Sequence, residues 1–392
     1  MAAERRIRIL IVDDSAVMRS LLRSVVSAEP GLDIAGTAAD GASALSCIGL
    51  LRPDLILLDV EMPVMDGLVT LRELRRRGHK MPVIMCSSVT QRGAKVTLEA
   101  LASGASDYVA KPAGQANREA AIKALGKDLG PKILALTHHL QPQQTSIFAN
   151  PAGHPAPQPH AVFPGGARPP LFMPAGPPSR AQAITSRPTV LVIGVSTGGP
   201  AALELLLPIL PANFPLPVLV VQHMPELFTR LFAERLDSRC QLRVREATEG
   251  DAAVAGTISI ARGNWHMELQ AAARPGAPLT LHLTQGPPEN HCRPAVDVLF
   301  RSAAAICGQG VLAVVLTGMG SDGMLGCRTI REHGGAVIAQ DQASSTVWGM
   351  PGAVTNAGLA HKVLPLREIA PEILRLAHRT HSEARELRES VV

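Results

Sequence analysis

The chain has 392 residues, and its 38 basic and 33 acidic side chains give a formal net charge of +5. At about 150 residues per domain, this length predicts two or three domains. Aromatic residues make up 3% of the chain and the sequence contains no lysine or arginine run longer than the three residues 75–77, so we do not expect it to bind nucleic acid. It lacks a signal-peptide pattern and any stretch of about 18 apolar residues, and we expect a cytoplasmic protein without membrane insertion. The six cysteines show no Cys-x-x-Cys spacing, which predicts reduced side chains and no zinc site.

A proline-rich segment divides the chain. Of the 48 residues from 141 to 188, 12 are proline and none is acidic. A segment of this composition cannot bury enough apolar surface to offset its ordering entropy, so we predict a flexible linker over 136–187. Domains are predicted on either side, at 5–135 and 188–378, and a charged tail follows at 379–392.

Before the linker, five short apolar runs alternate with segments of helical periodicity. Such alternation predicts a doubly wound parallel sheet of the α/β class. The predicted strands are 7–12, 32–38, 54–59, 83–86 and 107–110, and the predicted helices are 15–28, 41–51, 68–77, 92–103 and 117–138.

The same alternation returns after the linker. Three continuous apolar runs, at 189–194, 217–222 and 311–316, are typical of parallel strands covered on both faces. Between 242 and 285 the apolar runs are shorter and no helical pattern separates them, so we predict an antiparallel insertion or edge hairpins there. The sequence therefore predicts a second α/β domain built on a parallel sheet.

Charged residues follow the strands of the first predicted sheet. Asp13 and Asp14 come after the first strand, Asp59 ends the third, and Lys111 lies just past the fifth. The carboxyl ends of parallel strands meet at one edge, and three carboxylates there predict a hard divalent cation, Mg²⁺. With the metal and Lys111 neutralising phosphoryl oxygens, Asp59 is a candidate nucleophile, and Ser87 is placed to hydrogen-bond the product. A single aspartate at a strand end is more often a helix N-cap, so the prediction depends on the whole set.

These residues resemble the receiver domains of two-component response regulators. The resemblance covers about residues 5–135 and is carried by Asp13-Asp14, the string DVEMPVMDG that begins at Asp59, Ser87, Tyr108 and Lys111-Pro112. It implies a flavodoxin-like fold, bound Mg²⁺ and phosphorylation of Asp59 by a histidine kinase. It also implies that Ser87 is the switch hydroxyl and Tyr108 the switch aromatic residue. A receiver that no longer takes phosphate remains the alternative.

A glycine-rich turn opens the second domain. Gly194-Val-Ser196-Thr-Gly198 follows an apolar strand and precedes a predicted helix. Glycines on both sides permit a sharp bend that exposes the serine hydroxyl, as in the nucleophile turn of hydrolases. Two other interpretations remain. One is a phosphate-binding loop, although neither Gly-x-Gly-x-x-Gly nor a Walker lysine is present, and the other is a serine that caps the helix.

A nucleophilic serine needs an imidazole as base and a carboxylate to orient it. His223 directly follows the strand 217–222, and Asp322 lies in the glycine-rich loop after the strand 311–316. Both can therefore share one sheet edge with Ser196. Other histidines remain open at this point: His333 and His361, which would give the Ser, Asp, His order of α/β-hydrolases, and His266 and His291, which lie in less regular segments as surface or substrate-contacting residues.

The region from about 188 to 378 resembles the catalytic domain of the CheB group of chemotaxis protein-glutamate methylesterases. The matching strings are IGVSTGGP (193–200), VQHMPELFT (221–229), GNWHMEL (263–269), HCRPAVDVLF (291–300), LTGMGSDG (316–323) and AQDQASSTVWGMP (339–351). The resemblance implies a Rossmann-like sheet with Ser196 as nucleophile, His223 as general base and Asp322 as its orienting partner. It also implies the Met319 amide as oxyanion donor and no cofactor for ester hydrolysis.

Two residues depart from the family pattern. Arg262 stands where proline is expected, and Trp348 stands where a smaller aromatic residue is usual. Neither change affects the predicted triad, but either can alter how the substrate fits.

Together, the two resemblances imply a phosphorylation-regulated hydrolase. The implied substrates are γ-glutamyl methyl esters on chemoreceptors, with glutamine deamidation as a second activity, and the implied phosphodonor is a chemotaxis histidine kinase of the CheA type. We also expect the unphosphorylated receiver to pack over the edge that carries residues 196, 223 and 322. Two alternatives remain: a serine hydrolase for another acyl substrate, and a response regulator that acts only by binding.

Overall fold

The computed structural model describes residues 5–112, 117–140, 187–272, 274 and 276–378. These residues form an N-terminal and a C-terminal α/β unit. Most of the predicted linker, residues 141–186, and the predicted charged tail at 379–392 lie outside the described residues. Within the described parts of the chain, no helix combines the length and apolar character needed to cross a membrane.

The N-terminal unit alternates strands with helices along the chain, as the sequence predicts. Its strands are β1 (Ile7–Val12), β2 (Leu32–Ala38), β3 (Leu55–Asp59), β4 (Val83–Ser87) and β5 (Asp107–Ala110), and its helices are α1 (Ala16–Ala28), α2 (Gly41–Leu51), α3 (Gly67–Arg76), α4 (Gln91–Ala102) and α5 (Arg118–Thr137). The five strands pair in parallel in the order β2-β1-β3-β4-β5. The prediction of a doubly wound parallel sheet is therefore confirmed.

Local sequence accounts for the helix starts in this unit. Every helix begins after a residue whose side-chain oxygen accepts a backbone N–H of the first turn, which satisfies a donor that the helix itself leaves unpaired. The capping residues are Ser15, Asp40, Asp66, Thr90 and Asn117. At the other end, α5 runs to Thr137 and a 3₁₀ turn follows over His138–Leu140. Folded structure therefore continues past residue 136, where the predicted linker begins.

The C-terminal unit is larger and carries two sheets. Its strands are β6 (Val190–Val195), β7 (Val218–Gln222), β8 (Arg243–Glu246), β9 (Ala252–Ala253), β10 (Thr257–Ile260), β11 (His266–Gln270), β12 (Leu279–Thr284), β13 (Val311–Val315), β14 (Ala336–Gln340) and β15 (Lys362–Leu364). Its helices are α6 (Gly199–Leu206), α7 (Glu226–Asp237), α8 (Val296–Cys307), α9 (Met324–Glu332), α10 (Met350–Asn356) and α11 (Leu366–Ala377).

Seven of these strands form one parallel sheet in the order β15-β14-β13-β6-β7-β10-β8. The antiparallel insertion is present as a three-stranded sheet in the order β11-β12-β9. The same stretch of sequence also supplies β8 and β10, which extend the parallel sheet instead. The α/β class and the parallel sheet with an antiparallel insertion are thus confirmed.

The two units pack directly against each other. Helix α4 of the N-terminal unit lies against α6 and α7 of the C-terminal unit. Leu98 of α4, Leu203 of α6 and Phe228 of α7 belong to one continuous buried core. On the other side of the N-terminal sheet, Val347 of the C-terminal unit joins the apolar cluster of that unit, and Met319 packs on it. The apolar cores therefore cross the boundary between the units on both sides.

The close contact between β6 and α8 yields a stability test. A Cβ atom added at Gly194 would overlap the Val296 side chain, so Gly194→Ala should destabilise the protein by about 1–3 kcal/mol through overpacking. The control is Gly49→Ala in α2, where nothing lies within 4 Å of an added Cβ and helix propensity favours alanine by about 0.5–1 kcal/mol. Urea unfolding followed by circular dichroism measures both. An unchanged midpoint for Gly194→Ala would contradict this packing.

Candidate active site and phosphorylation site

Three loops meet at the carboxyl edge of the larger sheet. Ser196 follows β6, His223 follows β7, and Asp322 lies in the loop after β13. These three strands are direct neighbours in the order β13-β6-β7. The loop after β13 touches the serine, because a Cβ added at Gly318 would lie 2.8 Å from Ser196 Cβ. The structure therefore places the three predicted triad residues on adjacent loops at one edge of the sheet.

Asp322 is a buried carboxylate with many donors. Its Oδ2 lies 2.8 Å from His223 Nε2. It also accepts the backbone N–H groups of Val296 at 2.7 Å, Asp297 at 3.0 Å and Gly323 at 2.9 Å, which come from the starts of α8 and α9. Burial raises the pKa of this carboxyl, but the hydrogen bond and charge of His223 and the backbone donors outweigh burial, and the pKa lies below its usual value. Asp322 is thus held in its ionised form.

His223 is enclosed, with 12% of its side chain exposed. Because Nε2 is engaged with Asp322, Nδ1 is the ring nitrogen left to accept a proton. Nδ1 lies 3.5 Å from Cys292 Sγ. Burial lowers the pKa of His223, but the hydrogen bonds and charges of Asp322 and Cys292 outweigh it and raise the pKa from 6.5 to about 9. The imidazolium form, which arises when the ring takes a proton, is therefore stabilised in this site.

The turn that carries Ser196 is fixed by backbone contacts. Ser196 N–H donates to the Thr317 carbonyl at 3.0 Å, and the Ser196 carbonyl accepts from Gly199 N–H at 2.8 Å and from Gln222 Nε2 at 3.0 Å. Gly198 has φ of 78°, a left-handed conformation that favours glycine. These contacts hold the serine at a sharp strand-to-helix bend, as the glycine pattern predicts.

Met319 lies in the loop that faces the serine. Gly318 N–H donates to the Val347 carbonyl at 3.0 Å, and Met350 N–H donates to the Gly318 carbonyl at 2.8 Å. This pair of hydrogen bonds fixes the loop against Ser196. Gly318 is the residue that approaches Ser196 closely, and Met319 follows it directly.

The two histidines that rivalled His223 lie away from this edge. His333 caps the C-terminus of α9, and its Nδ1 lies 2.8 Å from the Thr329 carbonyl. His361 precedes β15, and its Nδ1 accepts Val337 N–H at 3.0 Å, near the start of β14. Burial and the charge of Arg331 lower the pKa of His361 to about 4. Neither histidine is placed to serve Ser196.

The remaining two histidines differ from each other in environment. His266 is buried, with Nε2 3.0 Å from the Pro287 carbonyl and Nδ1 accepting Ala295 N–H at 3.2 Å. His291 is exposed in a tight turn with φ of 63°. His266 therefore has a structural role, whereas His291 lies at the surface.

The acidic residues of the N-terminal unit form a compact cluster. Oxygen atoms of Asp13, Asp14 and Asp59 lie within 4.8 Å of one another. Lys111 Nζ lies 2.8 Å from Asp13 Oδ2 and 2.7 Å from Asp59 Oδ1. Burial, aided by the charge of Asp13, raises the pKa of Asp59 to about 6, although Lys111 opposes the shift. Three converging carboxylates form a donor set that fits Mg²⁺.

The predicted switch residues lie on the two strands beside this cluster. Ser87 ends β4 and is buried, with its hydroxyl donating to the Ser88 carbonyl at 3.1 Å. Tyr108 on β5 stacks on Phe228 of α7, with ring centroids 4.6 Å apart and an interplanar angle of 18°. The aromatic residue of the N-terminal unit therefore packs directly on the helix that follows His223.

A second contact reaches the residue beside the serine. Thr197 Oγ1 donates to Asp107 Oδ2 at 2.6 Å in a buried position. Lys132 Nζ donates to the Tyr108 carbonyl at 2.7 Å and lies 3.7 Å from Asp107 Oδ1, so it fixes this end of β5. Sequence reasoning did not predict that Asp107, Thr197 and Phe228 make contacts between the two units. The one signal in the sequence was that each lies next to or within a motif.

The two residues that depart from the family pattern have local partners. Arg262 pairs with Glu226 and lies over the Trp265 ring at 5.6 Å. Trp348 Nε1 donates to the Gln340 carbonyl at 3.1 Å. Both contacts lie outside the Ser196, His223 and Asp322 cluster itself.

Comparison with known proteins covers both units. Residues 191–373 match the family model of the CheB methylesterase, and residues 9–123 match that of the response regulator receiver domain. Protein-glutamate methylesterase/protein-glutamine glutaminases are similar over nearly the whole chain. The protein of this name from Nocardioides is 50% identical over 94% of this chain and 95% of its own length, and that from Trichodesmium erythraeum is 46% identical over 94% and 99%.

The charge of Asp322 generates a testable prediction. In Asp322→Asn, burial of His223 is no longer offset by a carboxylate, so the pKa of the imidazole should fall from about 9 to near or below its ordinary value. Imidazole resonances followed by NMR through a pH titration measure the change. The matched control is Asp341→Asn, whose carboxylate instead accepts Ser344 N–H and whose loss should leave His223 unchanged. A His223 pKa that stays near 9 in Asp322→Asn would contradict the pairing.

Proposed function

Because this chain belongs to the family of CheB-type protein-glutamate methylesterases with an N-terminal receiver domain, we propose which residues carry out its reaction and how phosphorylation controls it. The protein is a protein-glutamate methylesterase and protein-glutamine glutaminase of chemotaxis adaptation. The observation that carries the residue assignment is the His223–Asp322 contact of 2.8 Å beside the sharp turn that carries Ser196. The division into a receiver domain, a linker and a catalytic domain at 188–378 belongs to the same proposal, with the receiver end moved from the predicted residue 135 to residue 140, where the 3₁₀ turn after α5 ends.

In the proposed reaction, Ser196 is the nucleophile. Its Oγ attacks the carbonyl carbon of the glutamyl methyl ester while its proton passes to His223 Nδ1. The C–O bond to the methoxy group then breaks, and the imidazolium gives the proton to the leaving oxygen, which departs as methanol. A water molecule, deprotonated by His223, cleaves the acyl-enzyme and regenerates Ser196. A glutamine substrate follows the same course with ammonia as the leaving group.

Backbone donors complete the proposed site. The tetrahedral intermediate carries an oxyanion that needs N–H donors, and the Met319 amide is our candidate because its loop is fixed against Ser196. Proton transfer and charge stabilisation are thus assigned to side-chain and backbone groups, and we assign no cofactor to the hydrolysis.

The receiver is proposed to take phosphate on Asp59 from a chemotaxis histidine kinase of the CheA type. Asp13, Asp14 and Asp59 would hold Mg²⁺, which would supply charge to neutralise the phosphoryl oxygens. Lys111 adds a second cationic group, and Ser87 offers its hydroxyl to the phosphoryl group. The substrates are methyl-accepting chemoreceptors, whose methylated helices lie in the cytoplasm, and we therefore propose a cytoplasmic protein.

Regulation is proposed to act through the contact between the two domains. In the described arrangement β5 of the receiver touches both the residue after the nucleophile, through Asp107 and Thr197, and the helix after the base, through Tyr108 and Phe228. Receptor helices cannot approach Ser196 freely while α4 lies on α6 and α7. Phosphorylation that moves Ser87 and Tyr108 therefore loosens this contact and admits the substrate.

The first functional prediction concerns methanol release from methylated receptor membranes. The wild-type protein should release methanol, Ser196→Ala should release none, and Mg²⁺ with a small acyl phosphate should increase the wild-type rate. Asp59→Asn is the control that keeps the hydrolase but removes the phosphate acceptor, and its rate should not respond. Release by Ser196→Ala would refute the nucleophile, and absent release by wild type would favour another acyl substrate or a binding-only regulator.

The second prediction concerns the hydrogen bond between Asp107 and Thr197. Asp107→Ala removes a buried charged acceptor, and hydrogen bonds to such groups are worth about 1.5–3 kcal/mol. The population with the two domains in contact should therefore fall about ten-fold or more relative to the population with the domains apart. The basal methanol rate should rise by about that factor and stimulation by phosphodonor should shrink. Asp33→Ala is the matched control, because Asp33 is exposed on β2 at the far edge of the receiver sheet. Equal basal rates in the two variants would refute the docking model.

A further inference from the structure

A tight hairpin that the proposed reaction does not use lies against His223 and Asp322, the proposed catalytic pair. Glu289 N–H donates to the Cys292 carbonyl at 3.1 Å, and Cys292 N–H donates to the Glu289 carbonyl at 2.8 Å. The two central residues, Asn290 and His291, have φ of 50° and 63°. Positive φ at both positions is typical of a two-residue type I′ turn. The backbone of this hairpin is therefore closely defined.

Asn290 reaches from this turn to the acid of the proposed triad. Its Nδ2 donates to Asp322 Oδ1 at 2.9 Å and to Asp297 Oδ2 at 3.0 Å. Asp322 Oδ2 faces His223. Asn290 therefore adds a side-chain donor to the other oxygen, which also accepts the backbone N–H groups of Asp297 and Gly323. A carboxylate held at both oxygens cannot rotate, and its orientation fixes that of the imidazole.

Cys292, at the end of the same hairpin, reaches the base. Its Sγ lies 3.5 Å from His223 Nδ1, the nitrogen that receives the serine proton. Once protonated, the ring donates from Nε2 to Asp322 and can donate from Nδ1 to the sulfur. One hairpin therefore contacts both members of the pair, from opposite ends.

We propose that the hairpin Glu289–Cys292 is a positioning element for the catalytic pair, in which Asn290 fixes Asp322 and Cys292 supports the protonated form of His223. The inference rests on the proposed roles of Ser196, His223 and Asp322. It assigns no chemistry to Asn290 or Cys292 themselves, and both act through the groups that they contact.

Several charged groups surround this pair and bear on its pH behaviour. From α8, Asp297 faces Asn290, and burial followed by the nearby charge of Asp322 raises the pKa of Asp297. Arg301 Nη2 holds Glu289 at 2.6 and 2.9 Å, which anchors the hairpin and places a cation near the carboxylates. The Asn290 amide therefore also separates two buried carboxylates that would otherwise repel each other directly.

The test compares two glycine substitutions within the turn, in the full-length protein acting on methylated receptor membranes. Asn290→Gly removes the amide and keeps the left-handed backbone, and His291→Gly is the matched control at the other left-handed position. We expect kcat of Asn290→Gly to fall about ten-fold with little change in KM, as for loss of a hydrogen bond to a charged group. The acid limb of its pH profile should move to higher pH, because an unshared Asp322 charge favours the imidazolium. His291→Gly should keep kcat and the acid limb.

A second pair of variants tests the sulfur without altering the turn. Cys292→Ala removes the acceptor at Nδ1, so the acid limb of kcat/KM should move to lower pH and kcat should fall several-fold. Cys292→Ser restores an acceptor and should recover most of both. Cys240→Ala, at a half-buried cysteine beyond α7, controls for removal of a thiol.

The outcomes separate this inference from the function on which it rests. The positioning role is overturned if Asn290→Gly and His291→Gly lose kcat equally. It is also overturned if both Asn290→Gly and Cys292→Ala keep the wild-type kcat and pH profile. If Asn290→Gly fails to fold, the Cys292 pair decides. Activity in Ser196→Ala would instead show that the proposed catalytic assignment has failed, whatever the hairpin variants do.

Discussion

The parallel pairing of three adjacent central strands governs the geometry of the proposed catalytic centre. In register, Val315 pairs with Gly194, and Val195 pairs with Gln222. The chain therefore leaves β13, β6 and β7 at nearly the same height, one strand spacing apart. Strands buried on both faces resist displacement, so the loops start from rigid points. The common edge shared by Ser196, His223 and Asp322, and the contact between His223 and Asp322, follow from where these strands end.

The same edge also carries the contact with the receiver. Ser196 belongs to the proposed reaction, and Thr197, the next residue, is bound by Asp107 of β5. After the neighbouring strand β7, His223 belongs to the proposed site and Phe228 of α7 to the contact with the receiver. Catalysis and control are thus separated by one to five residues along the chain. In the proposed regulation, such closeness couples them without a relay through the interior of either domain.

Sequence patterns were informative where structure depends on local residues or on strand ends. Continuous apolar runs predicted the central strands. The segments that follow these strands supplied the candidates Ser196, His223 and Asp322, and the family resemblance then implied their roles as a triad. The patterns alone could not decide between His223 and His361, because only the fold shows that His361 lies by the start of β14. They did not separate β8 and β10 from the antiparallel insertion, since each has four residues and its partner is remote in sequence. Contacts such as Asp107 with Thr197, or Asn290 with Asp322, depend on domain docking and turn geometry, which no local pattern records.

In the proposed regulation, the apolar core shared by the two domains limits how strongly phosphorylation can stimulate hydrolysis. Separating Tyr108 from Phe228 exposes aromatic surface, at about 25 cal/mol per Å². For hydrolysis confined to undocked molecules, a docking free energy of about 1.4 kcal/mol leaves about one resting molecule in ten active, and about 2.8 kcal/mol leaves one in a hundred. The ratio of stimulated to resting turnover therefore cannot exceed one plus the equilibrium ratio of docked to undocked molecules. A larger interface lowers the hydrolysis rate of the unphosphorylated protein, but phosphorylation must then supply more free energy to separate the domains. The interface area therefore sets both the resting rate and the largest possible stimulation.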